Sequence, residues 1–515
     1  MKYRFPNRKS GMKNKIRRWL TQVTAAMAPF APQQGKYLHR RRPISRVSLV
    51  IAKKKNISIP PKDQTVTTNF IRKGRKNMVI RLFRRHIILA CVVILAAVIA
   101  VTMAVNFSHG QESTSENPAV VSATASGSTA KNSTPQSAAS TASSAAAAMV
   151  PANSSKEMRA VWVPYLSLNM SNETDKSEQA FLKKFNAIVN TAKSCGMNAL
   201  VVQVRPFGDA LYPSSYFPWS HIVSGTQGSN PGYDPLKDMV AACHKSGLKI
   251  HAWVNPLRIQ VSGSPSILAV NNPYYKFRSV SSKADYVGEF QNGSYYNPAY
   301  EEVRRLVADG VKEIAQKYDV DGIQFDDYFY PTQDASFDKK AYDTYCTEAK
   351  KAGTPLSLSD WRRANINALV SLVYREVKSV KSNLPFGIAP QGNAQNDMNM
   401  GADVYSWCSA KGYVDYICPQ LYYNFQNPTL PFNRAADTWK NLVKNKEIKL
   451  YFGLAVYKAG SSADSGTWKS SSSILASQIQ YGRDAACDGF MLYSCDYLTG
   501  SQTKQEVQNV IKLLN

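Results

Sequence analysis

Asp326 and Asp327 stand side by side at the end of a short apolar run, within "DVDGIQFDDYFYP" at 319–331, and aromatic residues and a proline follow at once. Adjacent carboxyl groups can divide labour. One, its pKa raised by its neighbour's charge, can protonate a leaving glycosidic oxygen. The other, kept ionised, can stabilise positive charge at an anomeric carbon or orient a 2-acetamido group as an internal nucleophile. The bland alternatives are a structural loop pair and a metal site. A metal would need further ligands. No histidine lies near in sequence, and the six histidines (39, 86, 109, 221, 244 and 251) show no H-E-x-x-H or similar spacing. The reading therefore calls for no metal and no cofactor.

Alternate residues of a strand share a face, so Gln324, Asp326 and Tyr328 should point together, and Asp327 joins them only if the strand has ended or bulged. The elements that would hold them can be read from periodicity. Short β-rich runs fall at 159–166, 199–207, 249–255, 322–328, 385–391, 416–423, 449–457 and 489–497. Helical patterns lie near 177–194, 235–246, 298–318, 358–380, 399–411, 433–445, 471–485 and 502–514. In "YNPAYEE", Asn297 is a candidate N-cap and Pro298 a first helical residue. Eight strand–helix units predict an α/β fold, a parallel (β/α)8 TIM barrel with long loops over 156–515. A doubly wound open sheet is the alternative, but "VPYLSLNMS" after the first strand lacks its Gly-rich phosphate turn.

In such barrels chemistry collects at the C-terminal strand ends. Those ends carry Arg205, Asp209, Asn255, Arg258, Gln391, Gln420, Tyr422, Tyr423, Asn424, Tyr493 and Asp496 besides the acids, Gln324 and Tyr328. Amides, guanidinium groups and flat aromatic faces suit sugar hydroxyls and C–H surfaces. These residues are the candidate substrate-binding set. Trp162 and Trp253 are candidate platforms that read more naturally as core. The fifth to seventh strands offer no carboxylate, so a two-carboxylate mechanism would need Asp496, Asp209 or a loop acid. That absence favours the substrate-assisted version.

The formal net charge of +27 raises nucleic acid as a partner. Its location argues otherwise. Residues 1–86 hold 24 of the 63 Lys+Arg and one of the 36 Asp+Glu, leaving 39 basic against 35 acidic residues for the rest. No nucleic acid is expected for the barrel. Ile87–Val105 is a 19-residue run without charge, directly after "RLFRRH". At about 1.5 Å per residue it just crosses a hydrocarbon core of about 30 Å. The boundaries read as a basic, disordered cytoplasmic tail at 1–85, a transmembrane signal-anchor at 86–107, a Ser/Ala/Thr-rich flexible linker at 108–155 and the barrel at 156–515. The positive flank puts the N-terminus in the cytoplasm and the barrel outside a single-pass cell-membrane anchor. Secretion after signal cleavage at Thr102-Met103-Ala104 is the alternative; the run exceeds the usual apolar stretch of roughly 7–15 residues. Met78 opens a complete basic and apolar leader, so 1–77 is either a tail or a product of start-site choice. Of eight cysteines, seven follow the apolar run, with no C-x-x-C, and read as buried thiols.

"MRAVWVPYLSL" (158–168), "VVQVRPFGDALYPS" (201–214), "HAWVNPLR" (251–258), "DGIQFDDYFYP" (321–331), "GIAPQGN" (387–393) and "CPQLYYNF" (418–425) resemble, in order, the glycosyl-hydrolase-like family of bacterial surface proteins that includes divisome-localised glycoside hydrolases. The resemblance covers about 158–515. It implies a (β/α)8 barrel that hydrolyses glycan strands, with peptidoglycan as substrate class and Asp326 and Asp327 as the catalytic pair. The motif also aligns loosely with chitinase-like enzymes, where Tyr328 would replace the acid, and more closely with the paired acids of substrate-assisted hexosaminidases. The expected function is an extracytoplasmic, membrane-anchored glycoside hydrolase acting on N-acetylated cell-wall polysaccharide. A non-catalytic glycan-binding barrel is the alternative.

Overall fold

The computed structural model describes residues 157–515. Eight parallel strands close into a barrel: β1 (Met158–Val163), β2 (Ala199–Arg205), β3 (Lys249–Val254), β4 (Gly322–Phe325), β5 (Phe386–Ile388), β6 (Tyr416–Ile417), β7 (Lys449–Ala455) and β8 (Gly489–Tyr493). Each strand pairs with its neighbours in sequence, and β1 closes the ring on β8 through Met158–Val161 against Gly489–Leu492. The expected (β/α)8 architecture is therefore the observed one. The expected tail, membrane span and linker lie outside the described residues. Among the described residues no helix is long and apolar enough to cross a membrane.

The strands are apolar on both faces because both are covered. Val161, Val202, Ile250, Ile323, Phe325, Phe386, Ile388 and Leu454 face the helical layer in one continuous core. Ala160, Trp162, Val201, Trp253, Tyr416, Cys418 and Met491 fill the inside. The helices follow the predicted places closely, as at Glu178–Ser194, where the Ser177 hydroxyl caps Ala180 N at 3.3 Å. Two local expectations change. The helix after Asn297 starts at Glu301, since the Asn297 side chain turns back to accept from Ala299 N at 3.1 Å and its amide donates to Asp285 O. The single helix expected at 399–411 is two short ones, Ala394–Asn399 and Val404–Ser409, broken where Gly401 takes φ +83°. A three-stranded antiparallel sheet that the periodicity did not foreshadow lies between β3 and β4, formed by Arg258–Gln260, Val287–Phe290 and Gly293–Tyr296.

Large rings inside so narrow a barrel need matching gaps. The Tyr416 ring occupies the space where a side chain on Gly387 would be, and a Cβ there would fall 2.3 Å from it. Gly322 makes the same room for the His251 ring, 2.5 Å from its would-be Cβ. The rings are joined by polar contacts: His251 Nδ1 lies 3.0 Å from the Tyr416 hydroxyl, which in turn donates to Gln324 Oε1 at 3.4 Å. Burial pushes His251 down to about 4, so it is a neutral imidazole at physiological pH. All seven described cysteines are free, five of them buried.

A Gly387→Ala substitution should force the Tyr416 ring out of place. The expected loss is about 1–3 kcal/mol of unfolding free energy, measured by chemical denaturation; an unchanged midpoint would mean the interior has slack at this layer.

Candidate active site

β4 ends at Phe325, so both following aspartates leave the strand pairing at the barrel mouth. They meet a cavity of about 310 Å³. Its floor is made by Trp162, Trp253, Gln324 and Ala389, and its rim by Tyr328, Tyr422, Tyr457, Tyr493 and Tyr497, with Gln420 beside Asp327. The rim tyrosines touch one another: Tyr422, Tyr457 and Tyr493 have ring centroids 5.9–6.1 Å apart. Edge-on and tilted contacts of this kind fix ring orientation.

Asp326 is 3% exposed. Three donors converge on it. Oδ2 accepts from the Asn255 amide and from Trp253 Nε1 at 3.2 Å, and Oδ1 accepts from Tyr328 N at 3.2 Å. Asn255 is oriented in turn by Gln203, whose Nε2 donates to Asn255 Oδ1 at 2.5 Å while its Oε1 accepts from Tyr165 N. Asp327 is less enclosed. One oxygen accepts from Gln420 Nε2 at 2.9 Å, and Gln420 also donates to Ala389 O at 3.0 Å. Burial raises both carboxyls above the ordinary range, and the charge of Asp327 raises Asp326 further. Arg258 opposes both shifts. Its guanidinium sits 5.2 Å from the Phe207 ring and 5.1 Å from the Tyr328 ring, with Nε donating to Pro206 O at 2.7 Å. With both carboxyls raised, the pair keeps a proton at pH values where isolated carboxyls have lost theirs.

The segment after the pair is pinned from behind. Arg362 makes a buried ion pair with Asp338 at 2.6 Å and donates to Thr332 O and Asp334 O. The chain leaving Asp327 is thus tied to the long helix Leu358–Val380.

Of the residues expected at the site, the structure brings together Asp326, Asp327, Asn255, Gln324, Tyr328, Gln420, Tyr422 and Tyr493, with Arg258 alongside. It does not bring the others. Arg205 is fully buried at the β2 bulge, 3.7 Å over the Phe217 ring and against the helix Glu301–Lys317. Asp209 is buried among Gln227 and His221. The Gln391 backbone is tied to Asp397 Oδ1 at 3.0 Å, outside the cavity lining. The Tyr423 ring packs on Gly392 instead of the cavity. Asn424 is a loop staple, donating to Thr467 O and accepting from Gln426 N. Asp496 holds the Ser167 and Ser494 hydroxyls. No third carboxylate lines the cavity among the described residues. No cluster of three or more His, Cys, Asp or Glu suited to a metal occurs among them either.

Trp162 and Trp253 read as core from the sequence, and both line the cavity as well. The signal was available: Trp253 stands two residues before Asn255 and so shares its face. Asp397 was missed. It is 1% exposed, and burial, followed by the charge of Asp327, holds its carboxyl well above the ordinary range.

Comparison with known proteins adds a family. The family model described as Glycosyl hydrolase-like 10 matches residues 157–470. Glycosyl hydrolase YngK of Bacillus subtilis (strain 168) is 34% identical over 337 residues, which cover 61% of this chain and 64% of that protein. The match thus spans just under two thirds of that relative's length. Glycosyl hydrolase DigH of Escherichia coli (strain K12) is 32% identical over 390 residues, covering 69% of this chain and 86% of that one. Among solved structures, the PgaB (BpsB) glycoside hydrolase domain from Bordetella bronchiseptica aligns with a TM-score of 0.47 at 14% identity, over 70% of this chain and 99% of that domain. A likeness at that level adds nothing to the barrel already described.

Trp253→Phe keeps an aromatic wall and removes the indole donor to Asp326. A lost hydrogen bond to the charged form should raise the Asp326 carboxyl by roughly one pH unit, followed by carboxyl-carbon NMR titration. An unmoved titration would show that the indole does not support the charge.

Proposed function

The chain belongs to the glycosyl hydrolase-like 10 family, and on that footing we propose that its barrel is a glycoside hydrolase whose catalytic pair is Asp326 and Asp327. The observation that carries the reading is the buried pair itself, at the end of β4, facing an aromatic cavity. The cavity sits at the small end of the roughly 300–1,000 Å³ typical of ligand sites, which suits one sugar ring gripped at the point of cleavage. The tyrosines and indoles that line the cavity offer the flat faces that sugar C–H surfaces need, and Gln324, Asn255 and Gln420 offer amides for hydroxyl or acetamido groups.

Asp327 is the general acid/base. It is the more open of the two, and among the described residues Gln420 is the one side chain that donates to it. Asp326 is the charged partner. Burial and the Asp327 charge raise its carboxyl; that repulsion vanishes once the proton sits on Asp327, and the three donors facing Asp326 then favour its ionised form. With the shared proton on Asp327, the leaving oxygen can be protonated as the glycosidic bond breaks. Asp326 then steadies the positive charge that develops, or aligns a 2-acetamido oxygen for attack at the anomeric carbon. Because no separate carboxylate lines the cavity among the described residues, the acetamido-assisted route is favoured, and with it an N-acetylated substrate. In the reaction's second half Asp327 takes the proton from the incoming water.

The substrate proposed is cell-wall glycan, peptidoglycan strands above all. The proposed location is outside the cell membrane, with Ile87–Val105 as a single-pass anchor and 108–155 as its tether. What supports this is the uncharged run behind its basic flank and the composition of the segment after it. The rival, a barrel that binds glycan without cutting it, shares every feature except the paired acids' chemistry.

Peptide-free peptidoglycan strands incubated with the protein should yield short oligosaccharides by mass spectrometry. Asp327→Asn and Asp326→Asn should each lower the rate by about 10²-fold or more while strand binding persists. Strand binding with no products from the wild type would establish the non-cutting barrel instead.

The pH profile tests the proton assignment. A raised acid is lost as pH climbs through its pKa, so kcat/KM should fall on the alkaline side. Arg258→Gln removes the cation that holds both carboxyls down, so that limb should move up by roughly one unit. A limb that stayed in place would detach Arg258 from the pair.

A further inference from the structure

At the same end of the barrel, beyond the cavity, the loops after β2 and β3 bring a carboxylate, an imidazole and a hydroxyl into line. Asp209 is fully buried. Its Oδ2 lies 3.4 Å from His221 Nδ1, and His221 Nε2 lies 3.3 Å from Ser264 Oγ. Asp209 Oδ2 also accepts from Gln227 Nε2 at 2.9 Å. Gln227 cannot turn round: its Oε1 takes Ala269 N at 2.9 Å and the Asn272 amide at 3.1 Å, so its N–H must face Asp209. No Lys or Arg forms an ion pair with Asp209 among the described residues, although its charge also reaches the buried Arg205; Oδ2 is the oxygen that faces His221. A carboxylate accepts only, so the tautomer of a neutral His221 that suits this line has its proton on Nδ1 and turns Nε2 as acceptor toward the Ser264 hydroxyl. Ser264 is partly exposed and closes the Val261–Ser264 turn with reciprocal backbone bonds of 3.0 and 2.9 Å.

We propose that Ser264, His221 and Asp209 form a second hydrolytic site, an acyl-transfer centre that removes O-acyl groups, acetyl above all, from sugar hydroxyls. The roles are those of nucleophile, base and orienting acid, recognised by geometry and not by chain order. Ser264 Oγ attacks the ester carbonyl carbon while His221 Nε2 takes the hydroxyl proton. The tetrahedral adduct collapses, the C–O bond to the sugar breaks, and His221 returns the proton to the departing sugar hydroxyl. Water, deprotonated by His221, then attacks the acyl-serine. A carboxylic acid leaves and Ser264 is restored. Both hydrogen-bond distances are longer than those of a formed bond, as unliganded sites often show, and tighten when an acyl group docks.

The placement suggests why the two sites share one face. The His221 ring is 5.6 Å from Phe207, and Arg258 bridges Phe207 to Tyr328 on the cavity rim. A glycan seated over the acids would run past Ser264. Acyl groups on its hydroxyls would crowd the tyrosine-lined cavity, and their removal clears the strand for cutting. That choice of substrate rests on the glycan reading above; the acyl-transfer chemistry does not.

The test therefore uses a probe with no sugar. The full chain is incubated with p-nitrophenyl acetate and, separately, with a fluorophosphonate that marks activated serines. The expected result is p-nitrophenolate release, and label on the peptide carrying Ser264 by mass spectrometry. Ser264→Ala should abolish that label and slow hydrolysis by about 10²-fold or more. Ser262→Ala, changing the exposed neighbouring serine of the same turn, should keep both. Asp209→Asn, which removes the carboxylate charge behind His221 while its amide oxygen still accepts from Gln227, should lower labelling in protein whose melting temperature shows it folded. Folded wild type that takes no label at Ser264, or a Ser264→Ala variant that hydrolyses as fast as wild type, would overturn the proposal. Either outcome is independent of whether Asp326 and Asp327 cut glycan.

Discussion

Burying Asp326 beside Asp327 costs free energy that only convergent donors and a nearby cation can offset. Those groups come from four different places in the chain. Trp253 and Asn255 come from the end of β3, Tyr328 N from the turn after β4, Gln420 from the chain after β6, and Arg258 from the antiparallel insert. Barrel closure sets their meeting point. β3 pairs directly with β4, with Trp253 opposite Gln324, and Gln420 bridges Gln391 at the next level of the wall. A slip of one residue along β3 would turn Trp253 and Asn255 toward the helices and leave a buried carboxylate without donors.

The interior packing serves the same end. Below the acids, Gln324, Tyr416 and His251 form a polar column inside an otherwise apolar barrel, and two glycines make room for the rings. Trp162 and Trp253 finish the core and start the cavity. One large side chain can do both where a barrel ends: each indole belongs to the interior cluster with Val201 and Met491 and also lines the cavity. A site built on strand ends inherits the rigidity of the wall beneath it.

The loops add what the wall lacks. The excursion between β3 and β4 carries both Arg258 and Ser264, and the loop after β2 carries Phe207, Asp209 and His221. Cation–π contacts of Arg258 with Phe207 and Tyr328 tie these loops to the cavity rim. The paired acids thus draw their support from the barrel, and the hydroxyl–imidazole–carboxylate line draws its own from loop-to-loop amide bonds. A fold that hosts many chemistries does so in this way, by varying loops over a constant wall.

Much of this was legible in the residues. The barrel followed from eight apolar runs alternating with helical patterns, because a strand covered on both faces must be apolar on both. The acid pair, Asn255, Gln420, Tyr422 and Tyr493 followed from polar residues gathering at the runs' ends. Alternation placed Gln324, Asp326 and Tyr328 on one face, and it could have placed Trp253 with Asn255. Position along a strand does not say which way a side chain leaves once the strand has ended or bulged. The β2 bulge turned Arg205 into the wall behind the barrel. Loop paths took Asp209, Asn424 and Asp496 to hydrogen bonds of their own, laid the Tyr423 ring on Gly392 and left Gln391 outside the cavity lining. The line of Ser264, His221 and Asp209 was invisible for a related reason: its members come from separate loops, and only the folded course of those loops brings them within reach. Local periodicity determined the wall and its mouth. Tertiary packing decided which groups at the mouth share a space, because burial, register and charge act between segments that the sequence keeps far apart.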